Sequence, residues 1–321
     1  MDVTYYVPPS TYLLRTIRLL LFAYIFKFIL NLLASCFMKN PYKRTDVFAC
    51  NYQGHAKFKH RVSVYHVMRQ KKCYPQGCLM FKWSCELKNK GKRCYRGLNY
   101  IGRLCEGCTY YLDEKIHYQP KILLSGGEFE EFKHELEDFD EWMSEHQNRD
   151  VDILCDISSI KPRFKKTISG GKGHLRLDGY LLVMRHGFID ITEFDDYFYA
   201  NISPNQQDRF RFATGDKFEA RGRMSLNRGR VLFNKIWAVN FESRSGKHTW
   251  NNSRALVARS SAVEFRAQPE SCIQCPYGAL VDTVEYVEGQ KQFKRSLYCL
   301  EGIKNPELCY LSAMAKVDLC A

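Results

Sequence analysis

The chain lacks the short motifs that mark the commoner catalytic sites. It has no Gly-x-Ser-x-Gly elbow to present a serine nucleophile and no His-Glu-x-x-His pair to hold a catalytic zinc. It also has no His-x-Glu with Pro-Cys-x-x-Cys to build a deaminase centre. Gly170-Gly171-Lys172-Gly173 is not a phosphate-binding loop, because the spaced first glycine and the Lys-Ser/Thr ending are missing. The compact Cys-x2-Cys-x2-Cys run of many iron–sulfur proteins is missing too. These absences leave catalysis without an argument, and a binding or scaffold protein becomes the expectation. Acidic residues are the minority, 35 against 48 Lys and Arg, for a net charge of +13. Such a balance favours an anionic partner: nucleic acid, an acidic protein or an anionic membrane surface. The excess is uneven. Residues 121–160 carry −9, between blocks of +9 (46–120) and +10 (161–262). An acidic block flanked by basic ones can neutralise much of that surface internally.

Cysteine is abundant. Six of the 14 lie at Cys73, Cys78, Cys85, Cys94, Cys105 and Cys108, interleaved with aromatic and basic residues. A second set lies at Cys272, Cys275, Cys299 and Cys309. Thiolates two residues apart can be aimed by a tight turn at one tetrahedral ion, so both sets are candidate metal ligands, with Zn²⁺ the expected ion and a 4Fe-4S cluster the alternative. The alternative carries its own function, a membrane-associated redox protein. Cys36, Cys50, Cys155 and Cys320 have no partner at a telling spacing and are expected to be structural.

Residues 19–38, LLLFAYIFKFILNLLASCFM, are long enough at the helical rise to cross a bilayer, despite Lys27. The excess of Lys and Arg that follows would place the bulk of a single-pass protein in the cytoplasm, where thiols stay reduced. An interfacial amphipathic helix is the other reading of this stretch.

Ser125 with Glu128 three residues on is a capping box. Phe129, Phe132, Leu136, Phe139, Trp142 and Met143 then recur at helical spacing, with acidic residues on the opposite face. Residues 161–173 resemble a flexible basic linker. Leu175–Ile191 is expected to be a long strand bent at Gly179 and Gly187, followed by strands at Asp196–Ile202, Lys217–Met224 and Arg230–Phe241, the last two joined by a Leu226–Gly229 turn. A glycine-bent long strand followed by shorter ones suits a small OB-like barrel. Barrels of that type bind single strands through basic grooves and stacking rings. The candidates here are Arg209, Phe210, Arg211 and Phe212, if that stretch is extended, and Arg221, Arg223, Arg228 and Arg230. Val281–Val287 and Gln292–Tyr298 flank Glu288-Gly289 as a hairpin between two cysteine groups, as in a zinc ribbon, although the last two cysteines are spaced too widely for one.

The expected fold is α+β. It runs from an N-terminal segment (1–18) and a transmembrane helix (19–38) into a cysteine-rich metal-binding module (39–120). An acidic amphipathic helix (121–160), an OB-like β-barrel (161–262) and a zinc-ribbon-like hairpin (263–321) follow. The expected function is that of a membrane-anchored, metal-binding interaction protein whose basic barrel meets an anionic partner such as single-stranded nucleic acid.

Overall fold

The computed structural model describes residues 37–169, 171–246, 250–265, 269–287 and 290–311. The first strand, β1 (Phe37–Met38), corrects the expected anchor and with it the single-pass membrane location. Residues 1–36 lie outside the described residues. The last two residues of the apolar run are extended, pair in parallel with Glu193 and Phe194, and bury Met38 in the core. Among the described residues no helix is long and apolar enough to cross a membrane.

The 39–120 region contributes Tyr42, Val47, Phe48, Val62, Val64 and Val67 to one core shared with the helix and the barrel. Strands β2 (Phe48–Ala49) and β3 (Arg61–Val62) form a small sheet with β6 (Lys121–Ile122), in the order β3-β2-β6. Strands β4 (Cys78–Cys85) and β5 (Tyr111–Tyr118) form a separate antiparallel ribbon. The helix Gly126–His146 closes over the small sheet. Its capping box is formed, and all six apolar residues read from its spacing are buried. Phe48 packs edge-on against Phe129 and Phe132, with ring centroids 6.1 and 6.4 Å away. Each buried side chain of this size contributes about 1.5–3 kcal/mol. At its C-terminal end Trp142 stacks on Phe194 of the barrel, and its Nε1 donates to Thr192 Oγ1 at 3.1 Å. The acidic face is tied down in part: Glu135 pairs with Arg44 at 3.0 Å, and Asp140 accepts from both Tyr42 and Arg69.

The barrel begins at Asp150, ahead of the expected boundary. It is built from β7 (Asp150–Ser169), β8 (Lys172–Ile189), β9 (Thr192–Ile202), β10 (Lys217–Asn227) and β11 (Arg230–Ser243). β7 pairs with β8, β8 with β9, β9 in parallel with β11, β11 with β10, and β10 back with β7. The five strands therefore close. A helix, Pro204–Phe210, sits between the third and fourth. This is the strand order of an OB-like barrel. The linker read at 161–173 is in fact the end of a long β7–β8 hairpin and its turn. Gly179 bends β8, as expected. Its φ is +133°, and a Cβ there would lie 2.2 Å from the Ile202 carbonyl oxygen, so only glycine fits. The register also shifts next to Gly187.

Strands β13 (Gly278–Val287) and β14 (Gln290–Cys299) form the expected C-terminal hairpin. It joins the barrel through parallel pairing of β13 with β7, and β12 (Val263–Glu264) pairs with β14. Glu264 fastens this junction. Tyr298 donates to it at 2.6 Å, Lys294 at 3.0 Å, and Lys166 lies 3.4 Å away. Burial opposes its charge, but hydrogen bonds from Tyr298, Ser296 and Lys294 and the charge of Lys166 outweigh burial and hold the carboxyl down at about 2. Its ordinary value is 4.5. Between these values the folded chain binds fewer protons than the unfolded one. The contribution is therefore complete above about pH 4.5 and is lost as pH falls toward 2. E264Q should be less stable than wild type by about 1 kcal/mol near pH 6, allowing for the side chain's partial exposure, and the gap should close toward pH 2. Urea unfolding across that range measures it; a gap independent of pH would mean the carboxylate charge is not the cause.

Candidate nucleic-acid interface

Strand alternation decides which residues the barrel shows on β8, β9 and β11. Met184, Phe198, Ala200 and Ile202 point inward and are fully or almost fully buried. Their neighbours Arg185, Tyr197, Tyr199 and Asn201 therefore face out. Arg185 is directly opposite Tyr197, and its guanidinium lies over that ring, 5.4 Å from the centroid. One step across the sheet, Arg230 lies over Tyr199 at 5.2 Å. Asn201 reaches Asn234 of β11 at 3.3 Å. The face thus alternates rings, cations and amides.

One end of this face is held by a clamp from far away in the chain. The β10–β11 turn has Arg228 and Gly229 at positive φ, as a two-residue hairpin requires. Tyr65 packs so close beneath Gly229 that a Cβ would meet it at 2.8 Å. Asn40 Nδ2 donates to the Gly229 carbonyl at 2.9 Å, and Lys43 Nζ donates to the Arg228 carbonyl at 2.9 Å. Lys43 keeps contact with solvent, yet protein crowds it on several sides. That desolvation, followed by the charges of Arg230, Arg295 and Arg228 and opposed by Asp196, pushes its ammonium down to about 7. Lys161 of β7 donates to the Ile273 carbonyl. Burial lowers it to about 8, with Cys275 opposing and Arg230 adding to the shift. Asp196 accepts from the Tyr197 and Asn40 backbone N–H groups, yet burial raises it. Tyr199 is raised by burial, against the pull of Arg230. Arg230 is the common neighbour of Lys43, Lys161 and Tyr199, and cations crowded in this way are relieved by an anion.

The other expected interface residues are placed elsewhere. Arg209 and Phe210 end the short helix, and Arg211 is its left-handed cap. Phe212 is fully buried against Phe218 and Phe241, so its ring cannot stack on a base. Arg221 and Arg223 do face out from β10, but they pair with Asp152 at 3.1 Å and Asp150 at 2.8 Å on β7, not with the acidic helix. Arg228 and Arg230 are the two expected residues that lie at the basic face. Lys43, Lys161, Arg185, Tyr197 and Tyr199 complete it. The alternation through Tyr197 and Tyr199 was visible in the sequence; the two lysines carry no local signal.

The first cysteine set, among the described residues, does not come together as one module. Among the described residues, no group of three or more His, Cys, Asp or Glu side chains is placed to hold a metal ion. Cys78 and Cys85 lie at opposite ends of β4, about 23 Å apart at strand spacing, so the first set is split. At one end Cys73 is buried, and its thiol is pushed up by burial and by nearby Cys78 and Cys50. At the other end Cys85, Cys94 and Cys105 share the ribbon tip with Cys108, whose Sγ is 3.5 Å from the Tyr95 hydroxyl. The hydroxyl lowers the Cys108 thiol, aided by the Tyr110 backbone amide. In the second set, Cys272, Cys275, Cys299 and Cys309 line one small apolar cavity with Phe265 and Tyr277. Burial, with the neighbouring thiols adding, raises Cys272, and burial raises Cys275. The expected hairpin is present and stands beside this thiol-lined cavity, where all four candidate cysteines of the second set meet. Cys50 and Cys155 are buried, as expected of structural residues.

Comparison with family models, curated proteins and solved structures finds no match to the chain. The OB-like assignment stands on strand order and closure.

Proposed function

We propose that the chain is an interaction protein whose OB-like barrel binds single-stranded nucleic acid on the outer face of β8, β9 and β11. The observation that carries this reading is the pair of outward tyrosines, each beneath an arginine, beside the cation-crowded β10–β11 turn. Rings of this kind stack on bases without regard to sequence, and the cations meet phosphates. The sparse ion pairing of Arg185, Arg228 and Arg230 among the described residues sets them apart from Arg221 and Arg223, whose charge is already matched.

The test is fluorescence anisotropy of the full chain with labelled oligo(dT) across a salt series. The logarithm of the binding constant should fall linearly with log salt, with a slope of about −3 if four cations meet phosphates. Lys43 supplies a second readout. With its ammonium at about 7 in the free protein, a bound phosphate raises that value, so binding takes up a proton. Affinity should be greatest below pH 7 and fall as pH rises above it. K43R stays charged and should lose most of that fall, leaving the weaker share of Lys161. Absence of binding at low salt sinks the reading. Binding to polyglutamate but not to oligo(dT) would replace it with an acidic protein partner.

A further inference from the structure

The β4–β5 ribbon presents the other concentration of exposed rings and cations in the described chain. Its two strands pair only with each other. A two-stranded ribbon of this kind is at best marginal in water unless one face is covered. Here the apolar face is open: Leu79, Phe81 and Trp83 share it and are 60%, 52% and 43% exposed. Their directly opposed partners on β5 are His117, Lys115 and Asp113. Lys115 lies over the Phe81 ring, 5.9 Å from its centroid. Burial is confined to the two ends, where the half-buried Cys78 packs on the core and Cys85 is enclosed.

The loop at the ribbon tip repeats the pattern. Tyr95 and Tyr110 are both exposed and meet edge-on at 6.0 Å. Arg93, Arg96 and Arg103 around them are exposed, and among the described residues none has an ion-pair partner. Residues 78–118 carry eight Lys and Arg against four Asp and Glu. That excess decides between occupants. A second copy of the chain would bring the same positive surface against itself. An acidic protein would match the charge, but it would also have to bring a matching apolar strip for Leu79, Phe81 and Trp83. A single-stranded nucleic acid supplies both phosphates for the cations and flat faces for the rings.

We infer that the β4–β5 ribbon and its tip are a second contact for single-stranded nucleic acid, extending the footprint of the strand held by the barrel. This rests on the proposed function of the barrel face. The ribbon spans about 25 Å, room for several further nucleotides.

The experiment compares short and long oligo(dT), about 8 and about 30 nucleotides, on wild type, F81A/W83A and R185A/R230A, all as full chains. Both ribbon rings are exposed, so F81A/W83A should keep the wild-type melting curve. Wild type should bind the long oligomer more tightly than the added length alone explains. F81A/W83A should bind the short oligomer as wild type does and the long one at least about tenfold more weakly. Trp83 is the most exposed of the tryptophans described, so its fluorescence should be quenched by the long oligomer and the quench should vanish in W83F. If wild type binds both oligomers and F81A/W83A binds both equally well, the ribbon inference is overturned and the barrel reading stands. If R185A/R230A retains wild-type affinity for the short oligomer while F81A/W83A loses it, the barrel reading fails and the ribbon is the primary site. A dimer broken by W83A and indifferent to oligo(dT) overturns the inference in favour of a second copy.

Discussion

Replacing Asp216 by alanine is expected to lower the unfolding free energy by about 3–5 kcal/mol, a large share of what a domain of this size has to lose. The side chain is fully buried, yet it is well matched. One carboxylate oxygen accepts from the Ala213 backbone N–H at 2.9 Å, and the other accepts from the Ser245 N–H at 2.8 Å and its hydroxyl at 3.2 Å. Arg244 lies 3.8 Å away and supplies the opposing charge. The Asp216 carbonyl also accepts from Ile157 N–H at 2.9 Å. One residue therefore ties the entry of β10 to the exit of β11 and to β7, where the barrel closes. Alanine would strand the buried Ala213 N–H, release Ser245 and leave a void. Asparagine keeps the volume but offers one oxygen where two are used, so D216N should fall between wild type and D216A. Urea unfolding should show a lower midpoint with an unchanged slope. A loss below about 1 kcal/mol for D216A would mean that water or a rearranged loop satisfies these donors.

What could be read from the sequence follows the range of the interactions. The helix Gly126–His146 was legible because its capping box and apolar spacing are both local. The bend at Gly179, the turn ending at Gly229 and the C-terminal hairpin were legible for the same reason. The first barrel strand was not. Lys161-Pro162 and the basic residues after it looked like a linker, because outward-facing lysines and arginines masked the inward alternation of Ile160, Pro162 and Phe164. Arg209–Phe212 alternates like a strand, yet Ser203 with Gln206 is a capping box that starts a helix there, a signal present in the sequence and passed over. The pairing of Arg221 and Arg223 depends on the register between β10 and β7, which sequence does not reveal. The clamp on the β10–β11 turn joins Lys43 to a residue 185 positions away, and no local pattern points to it. Of the two cysteine sets, the first is split because strand β4 holds Cys78 and Cys85 at its opposite ends, whereas the second lines one cavity.

The second large effect concerns the barrel face and separates charge from stacking. R185A/R230A should weaken binding of oligo(dT) by on the order of 30-fold at low salt and reduce the salt slope by about 1.4, the share of two phosphate contacts. Y197A should cost about 1–3 kcal/mol and leave the slope nearly unchanged, because a ring releases no counterions. Removing Arg230 has a further consequence for its neighbours. Its charge helps to hold both Lys43 and Lys161 down, so in R230A both ammonium groups should titrate at higher pH, moving the fall in affinity upward. The control is R221A/R223A. These arginines carry as much formal charge, but Asp152 and Asp150 already match it, so binding should change by no more than about twofold. Anisotropy across salt and pH measures all four variants on one scale. If R221A/R223A causes the loss and R185A/R230A does not, the strand lies on β7 and β10 instead, and the tyrosines of β9 are only a packed surface.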